Sequence, residues 1–373
     1  MRRFILLLAL ATVGIGSVAS AQFSPAPRRP KLAAQADTND WEAYFDYAVS
    51  QLHRERELAD AAMYWSSRID PSRAEPLFGR WVSFWLRDIP RFTRVLTGEE
   101  GNPNAADILH VDSLRIAALS RNPFVHQGLR AEVYDELPGS FRGDIVTSAW
   151  LAYSRAEFPL AIEYANRAIK ANPQKNLYLR YMLAGAYVGT EKYDDAILQL
   201  NTLIAELRKG DAKQVGFYEA KDLLEYAVGR LLGQKNDVAG ATAAFQRSIA
   251  ENIAFAPAHA ALGLIALSKR DLPTATTELG LAVELSPDDA LYHMQFGDLH
   301  MKARRYEDAM RQYSEAISDE PYYADPYFRL GTAFEAAGQK TSAIQAYQGF
   351  IAHAPRASLW IYQAKDKIAA LSK

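Results

Sequence analysis

"DPYFRLGTAFEAAGQ", residues 325–339, reads as a helix in every respect but one: Gly331 stands in its middle. A glycine inside a helix costs about 1 kcal/mol against alanine, so something must use the missing side chain. The stretch alone leaves two uses open, a backbone brought close to a ligand or two helices pressed together. Spacing decides between them. Gly331 is preceded by Gly297, Gly263 and Gly229, each step being 34 residues. Ala343 is preceded by Ala309, Ala275 and Ala241 at the same step. Pro355, Pro321 and Pro287 keep the interval, with Ile253 in the proline's place one step earlier. Three residue types locked to one period mark an array of repeated units.

Each unit holds two helical patterns. Apolar residues fall at helical spacing from Leu291 to Met301 and again from Tyr306 to Ile317. Ala303–Arg305 are expected to form the turn, and Pro321 to stop the second helix. Two short amphipathic helices cannot bury their faces alone, so successive pairs must stack.

These residues resemble the tetratricopeptide repeat family, whose pattern is filled by Phe296-Gly297, Tyr306, Ala309, Tyr313, Ala316 and Pro321. The next unit matches with Leu330-Gly331, Ala343, Tyr347 and Pro355, although bulky Phe350 replaces a small residue. The preceding unit matches with Leu262-Gly263, Leu272, Ala275, Leu279, Ala282 and Pro287. Upstream, Gly229, Val238, Ala241 and Phe245 fit one unit, and Tyr187, Tyr193, Ala196 and Leu200 another. Ala149, Phe158, Ala161, Ala165, Ala168 and Pro173 fit a third. The step from Ala196 to Ala241 is 45 residues, which is assigned to an extra loop around Arg208–Gly216. The resemblance implies an all-α, right-handed α-solenoid with six repeats over 143–355. Residues 356–373 read as a carboxy-terminal capping helix. Residues 39–142 read as a divergent helical region with degenerate pairs and an insertion, a separate small helical domain being the competing reading.

The amino terminus carries a different signal. Arg2 and Arg3 precede the apolar run Phe4–Val13, and Ala19-Ser20-Ala21 supplies the small-x-small pattern of a cleavable secretory signal over 1–21. The alternatives are an uncleaved anchor over Phe4–Ala21 and twin-arginine export. Proline-rich residues 22–38 read as a disordered leader whose Arg28, Arg29 and Lys31 lie free in solvent or touch acidic lipid or polymer. The chain has 42 basic and 44 acidic residues, and loss of the two signal arginines leaves 40 against 44. A charge so near balance argues against nucleic acid as a partner. With no cysteine, disulfides, thiolate metal sites and lipidated cysteines are excluded. No Asn-x-Ser/Thr site occurs either. The expectation is an exported protein, in the periplasm or envelope of a Gram-negative bacterium or otherwise secreted, with no integral span after cleavage.

Catalytic patterns are not evident. The glycines fit no phosphate loop. His259, His293 and His300 lack a third ligand at metal-binding spacing and read as packing residues. Asp194-Asp195 and Glu307-Asp308 resemble acid–base pairs but open second helices, where negative charge complements the dipole. His110, His126, Asp112 and Asp135 in the irregular third carry the rival reading, an enzyme site over 89–142 supported by the repeats.

No cofactor is expected, and function falls to surface chemistry. The resemblance implies that first helices line a concave groove. Carried onto this chain, its contact places are Trp150, Tyr153, Tyr178, Tyr181, Tyr226, Arg230, Leu264, Leu267, Met294, Asp298, Met301, Phe328, Arg329 and Glu335. Families that clamp a terminal carboxylate use Lys and Asn there, which this row lacks. Aromatics and methionines instead suit an apolar peptide or protein segment. A groove filled by tight winding, or by the amino-terminal third, is the equal alternative. The expected function is therefore a non-enzymatic scaffold binding a protein or peptide in envelope assembly or maintenance. A self-assembling or polymer-binding role is the remaining reading.

Overall fold

A computed structural model of the chain describes residues 26–87 except 53, 114–125 except 115, 144–211 except 175 and 178, and 221–373. The signal segment 1–21 lies outside these residues, as do His110, Asp112, His126 and Asp135. Helices follow one another as α1 (Trp41–Gln51), α2 (Arg56–Ile69), α3 (Ala74–Arg87), α4 (Ile145–Ser154), α5 (Phe158–Ala171), α6 (Leu179–Gly189), α7 (Tyr193–Asp211) and α8 (Lys221–Gln234). They continue as α9 (Val238–Glu251), α10 (Ala256–Ser268), α11 (Leu272–Leu285), α12 (Ala290–Lys302), α13 (Tyr306–Asp319), α14 (Asp325–Ala336), α15 (Lys340–His353) and α16 (Trp360–Leu371). No strand occurs among the described residues. The all-α architecture of stacked helix pairs is what the period of 34 requires.

The turn inside each pair is built the same way six times. Ala156, Glu191, Asn236, Arg270, Arg304 and Gly338 all stand in the left-handed region, with φ between 57° and 75°. The next residue's amide then reaches back five residues, as in Arg305 N–H to His300 C=O at 2.9 Å and Gln339 N–H to Phe334 C=O at 2.8 Å. This closure satisfies carbonyls left open at the end of the first helix. Only Gly338 takes that φ without a Cβ penalty. Acidic caps help the following helices to start: the Asp237 carboxylate accepts from Gly240 N–H at 2.8 Å, and that of Asp289 from Leu291 N–H at 3.1 Å.

The last four pairs then close on a glycine. A Cβ added to Gly297 would lie 2.5 Å from the Tyr313 ring, and one on Gly331 2.7 Å from Tyr347. Gly229 meets Phe245 at 2.5 Å and Gly263 meets Leu279 at 2.6 Å. In every case the bulky partner stands 16 residues later, on the second helix. Earlier pairs reach the same end with small residues: Ala149 and Ala165 are both fully buried in one cluster, as are Ala184 and Leu200 in another.

The described residues form two compact units, Trp81–Ile253 and Pro27–Arg80 with Ala254–Lys373. In the first, α4–α9 stack pair on pair. Its α7 corrects the expected loop at Arg208–Gly216 over residues 208–211, because the helix runs on to Asp211; residues 212–216 lie outside the described residues. Leu203, Ile204 and Leu207 are buried, and the Arg208 guanidinium donates to Glu225 at 3.0 Å and Glu251 at 2.7 Å. Those partners hold the extra turns helical.

In the second unit, α10–α15 form three further pairs and α16 packs on α15. The helix pair α1–α2 belongs to the same unit. The leader departs from the expected disorder at residues 26–38. Arg29 is enclosed by three rings, with its guanidinium carbon 5.1 Å from the Tyr44 centroid, 5.0 Å from Trp65 and 5.4 Å from Tyr322. Trp65 Nε1–H donates to Pro27 C=O at 2.9 Å. The aromatic enclosure offsets the entropy lost by ordering the strap.

Two expectations test this account. Gly297→Ala should lower stability by about 1–3 kcal/mol through overpacking against Tyr313. Gly233→Ala, where a new Cβ meets nothing within 4 Å, should be neutral or stabilising by up to about 1 kcal/mol; equal denaturation midpoints for the two variants would refute the packing role. Separately, Arg304→Gly should stabilise and Gly338→Ala destabilise, each by about 1 kcal/mol, read from urea unfolding curves.

Candidate functional site

In the unit Trp81–Ile253 the first helices α4, α6 and α8 present Trp150, Tyr153, Tyr181, Tyr226 and Arg230. Three of these converge on one short segment of the same chain. Residues 116–121 are helical and 122–125 follow as a turn. The Tyr181 hydroxyl donates to Pro123 C=O, and its ring stacks on Phe124 with centroids 5.9 Å apart and planes at 29°. The Tyr226 hydroxyl donates to Ser120 C=O at 2.8 Å, and Arg230 donates to the same oxygen at 2.9 Å. Phe124 is thereby buried in the cluster containing Tyr181, Ala184, Leu200 and Leu203. Trp150 and Tyr153 meet edge to face at 6.2 Å in the neighbouring cluster. Tyr178 lies outside the described residues. Of the row expected to face a partner, Tyr181, Tyr226 and Arg230 are here engaged by Ser120, Pro123 and Phe124 of the same chain.

The second unit distributes its row differently. Leu267 and Met294 are buried and Met301 is half-buried, so these are core residues rather than a surface. Leu264 is 40 % exposed. Asp298 accepts from the Tyr313 hydroxyl at 2.7 Å and from Arg329 through both carboxylate oxygens at 2.6 Å. Burial, with Asp298 adjacent, pushes the Tyr313 phenol well up, so it stays a donor. Glu335 accepts from the Tyr347 hydroxyl and from Lys367, both at 2.7 Å. Burial raises the Glu335 carboxyl, but Lys367 and Tyr347 overcome that and leave it below the usual carboxylate range. Asp298 and Glu335 therefore brace the two rings that pack on Gly297 and Gly331. Phe328 meets Tyr347, Phe350 and Trp360 edge to face at 5.2–5.3 Å. Around it Trp360 is 54 % exposed, Leu359 75 % and Tyr362 68 %.

The histidines are absorbed by packing. His259 Nδ1 contacts Glu278 at 2.8 Å, and His293 contacts Gln312 at 2.8 Å from the equivalent position. His300 is buried against Phe296 with centroids 4.4 Å apart, and burial holds its pKa down. Among the described residues no group of three or more metal-binding side chains comes together. No helix among them is long and apolar enough to cross a membrane.

Two charged clusters escaped the sequence reading. In the first unit Glu225 is buried between Arg208 and Arg247, its oxygens 3.0 and 2.8 Å from their guanidinium nitrogens. In the second, Arg68 of α2 binds Glu320 through two nitrogens at 2.7 and 3.0 Å and donates to Asp319 C=O at 2.9 Å. Burial raises the Glu320 carboxyl while Arg68 and Arg80 pull it back. The period gives no hint of either, since Arg68 and Glu320 stand 252 residues apart. Arg68→Ala and Glu320→Ala should each destabilise the chain, and together by less than their sum. A double-mutant cycle should give a coupling of about 1–3 kcal/mol; strict additivity would mean that the pair carries no coupling energy.

Parts of the chain are similar to known repeat proteins. Residues 146–212 and 294–358 match the family model described as "Tetratricopeptide repeat". A curated relative from Saccharomyces cerevisiae, "Small glutamine-rich tetratricopeptide repeat-containing protein 2", is 30 % identical over 83 residues, which is 22 % of this chain. The match spans 24 % of that protein's length. Among solved structures, YrrB, described as "a TPR protein with an unusual peptide-binding site", aligns at 18 % identity and a TM-score of 0.42. The alignment covers 55 % of this chain and all of that one. The C-terminal part of a repeat protein from Cytophaga hutchinsonii aligns at 17 % identity and a TM-score of 0.47, covering 60 % of this chain and 83 % of that one.

Proposed function

Because this chain is a tetratricopeptide repeat protein, we propose that it is an exported, non-enzymatic scaffold holding a protein or peptide partner on its first helices. Its place of work in this reading is the cell envelope, in assembly or maintenance. Tetratricopeptide folds bind peptide or protein partners, and the finer reading rests on where this chain leaves suitable chemistry open.

The observation that carries it is the aromatic end of the second unit. Phe328 sits on a first helix under Trp360, and Trp360, Leu359 and Tyr362 are all exposed. A helix that only caps a stack should turn a polar face to water. Exposed aromatics instead offer large contact area with little rotamer entropy to lose, which is what binding anchors require. Export is supported by the pattern of residues 1–21.

The test has two parts. A fusion of residues 1–40 to a periplasmic reporter should be exported in a Gram-negative host, and mass spectrometry should find Gln22 at the mature amino terminus. A photo-crosslinker placed at Tyr362 should capture a discrete protein in the native host, and Phe328→Ala with Trp360→Ala should abolish that product. Capture unchanged in the double variant would defeat the proposed surface.

A further inference from the structure

In the unit Trp81–Ile253 the helix pairs of α4–α9 stack in chain order, and residues 116–125, "IAALSRNPFV", lie outside the six regular repeats. Yet Ala118, Leu119, Phe124 and Val125 are buried, and the side-chain bonds from the stack to this segment go to its main chain. Side-chain donors on two successive first helices, α6 and α8, capture main-chain carbonyls: Tyr181 takes Pro123 C=O, while Tyr226 and Arg230 share Ser120 C=O. Arg230 also donates to the Tyr226 hydroxyl at 3.0 Å, which fixes the pair that reads Ser120. Carbonyl capture is indifferent to side-chain identity, so it holds a segment by its backbone. Selectivity comes from one anchor, the Phe124 ring stacked on Tyr181. Pro123 immediately before it fixes the backbone and lowers the entropy lost on docking.

We propose that the first helices of the unit Trp81–Ile253 form a peptide-binding site whose ligand is built in. Residues 116–125 occupy it, and a partner segment presenting a proline–aromatic pair after a turn of helix enters only by displacing them. The site differs from the aromatic end of the second unit and does not depend on that surface being functional. Tethering gives the built-in segment an effective concentration that a free competitor must exceed. The apparent affinity for such a competitor falls by the fraction of molecules in which the site is open.

The experiment uses the full-length mature chain and a fluorescent synthetic peptide of residues 116–125. Fluorescence anisotropy should show the peptide binding Phe124→Ala at least about tenfold more tightly than the unaltered chain. Adding Tyr226→Phe and Arg230→Ala to that variant should weaken binding again by about tenfold or more, since the carbonyl donors are then gone. Phe124→Leu, which keeps a smaller apolar anchor, should fall between the two and serves where Phe124→Ala loses its helical circular dichroism. Equal affinity for the unaltered chain and the Phe124 variants would overturn the proposal. So would absence of binding to a Phe124 variant that remains folded. Because the assay involves neither Phe328 nor Trp360, its failure is separate from failure of the surface proposed for the second unit.

Discussion

The contact on which the architecture rests is an aromatic or leucine side chain laid against a residue with no side chain of its own. Tyr313 on Gly297 and Tyr347 on Gly331 let the two helices of a pair approach until the ring itself sets the spacing. The ring cannot tumble, because its hydroxyl is tied to Asp298 or Glu335 on the facing helix. Those carboxylates are in turn tied to Arg329 and Lys367 in the following helices. One packing contact thus propagates through a charge pair into the next repeat. This is how units that cannot fold alone become a cooperative stack.

The two units spend their first helices in different ways. In Trp81–Ile253 aromatic residues have become donors and a stacking platform for another stretch of the same chain. In the other unit the acidic residues of the row serve as braces, and the aromatic surplus appears at the carboxy-terminal helix. A row of contact positions is therefore a set of resources that interior packing draws on first, and what remains exposed is the smaller part relevant to a partner.

Helix pairs, their turns and the stacking order were readable because the constraint producing them recurs every 34 residues. A turn placed at Ala303–Arg305 agrees with the left-handed Arg304 and the backward bond from Arg305. What was not readable depends on contacts made once. Whether Arg208 ends a helix or continues it is decided by Glu225 and Glu251, the latter 43 residues away. The engagement of Tyr181, Tyr226 and Arg230 by Pro123 and Ser120 rests on bonds spanning 58, 106 and 110 residues, with no periodic trace. Arg29 looked like a free cation because Tyr44, Trp65 and Tyr322 surround it only after the fold exists.

That enclosure has a kinetic consequence. Asn39 donates to Ala352 and Ala354 carbonyls across 313 and 315 residues, and Asp37 accepts from the Arg356 amide across 319. Most contacts in a helical stack are local and form as the chain emerges, but these cannot. At roughly 5–20 residues per second, the helix pair α1–α2 is made tens of seconds before the surface it joins. It must wait through that interval with Trp65 uncovered, and closing so long a loop adds an entropic cost that local pairs escape. The second unit is thus the last part of the chain able to finish folding, although it contains the first helices to be made.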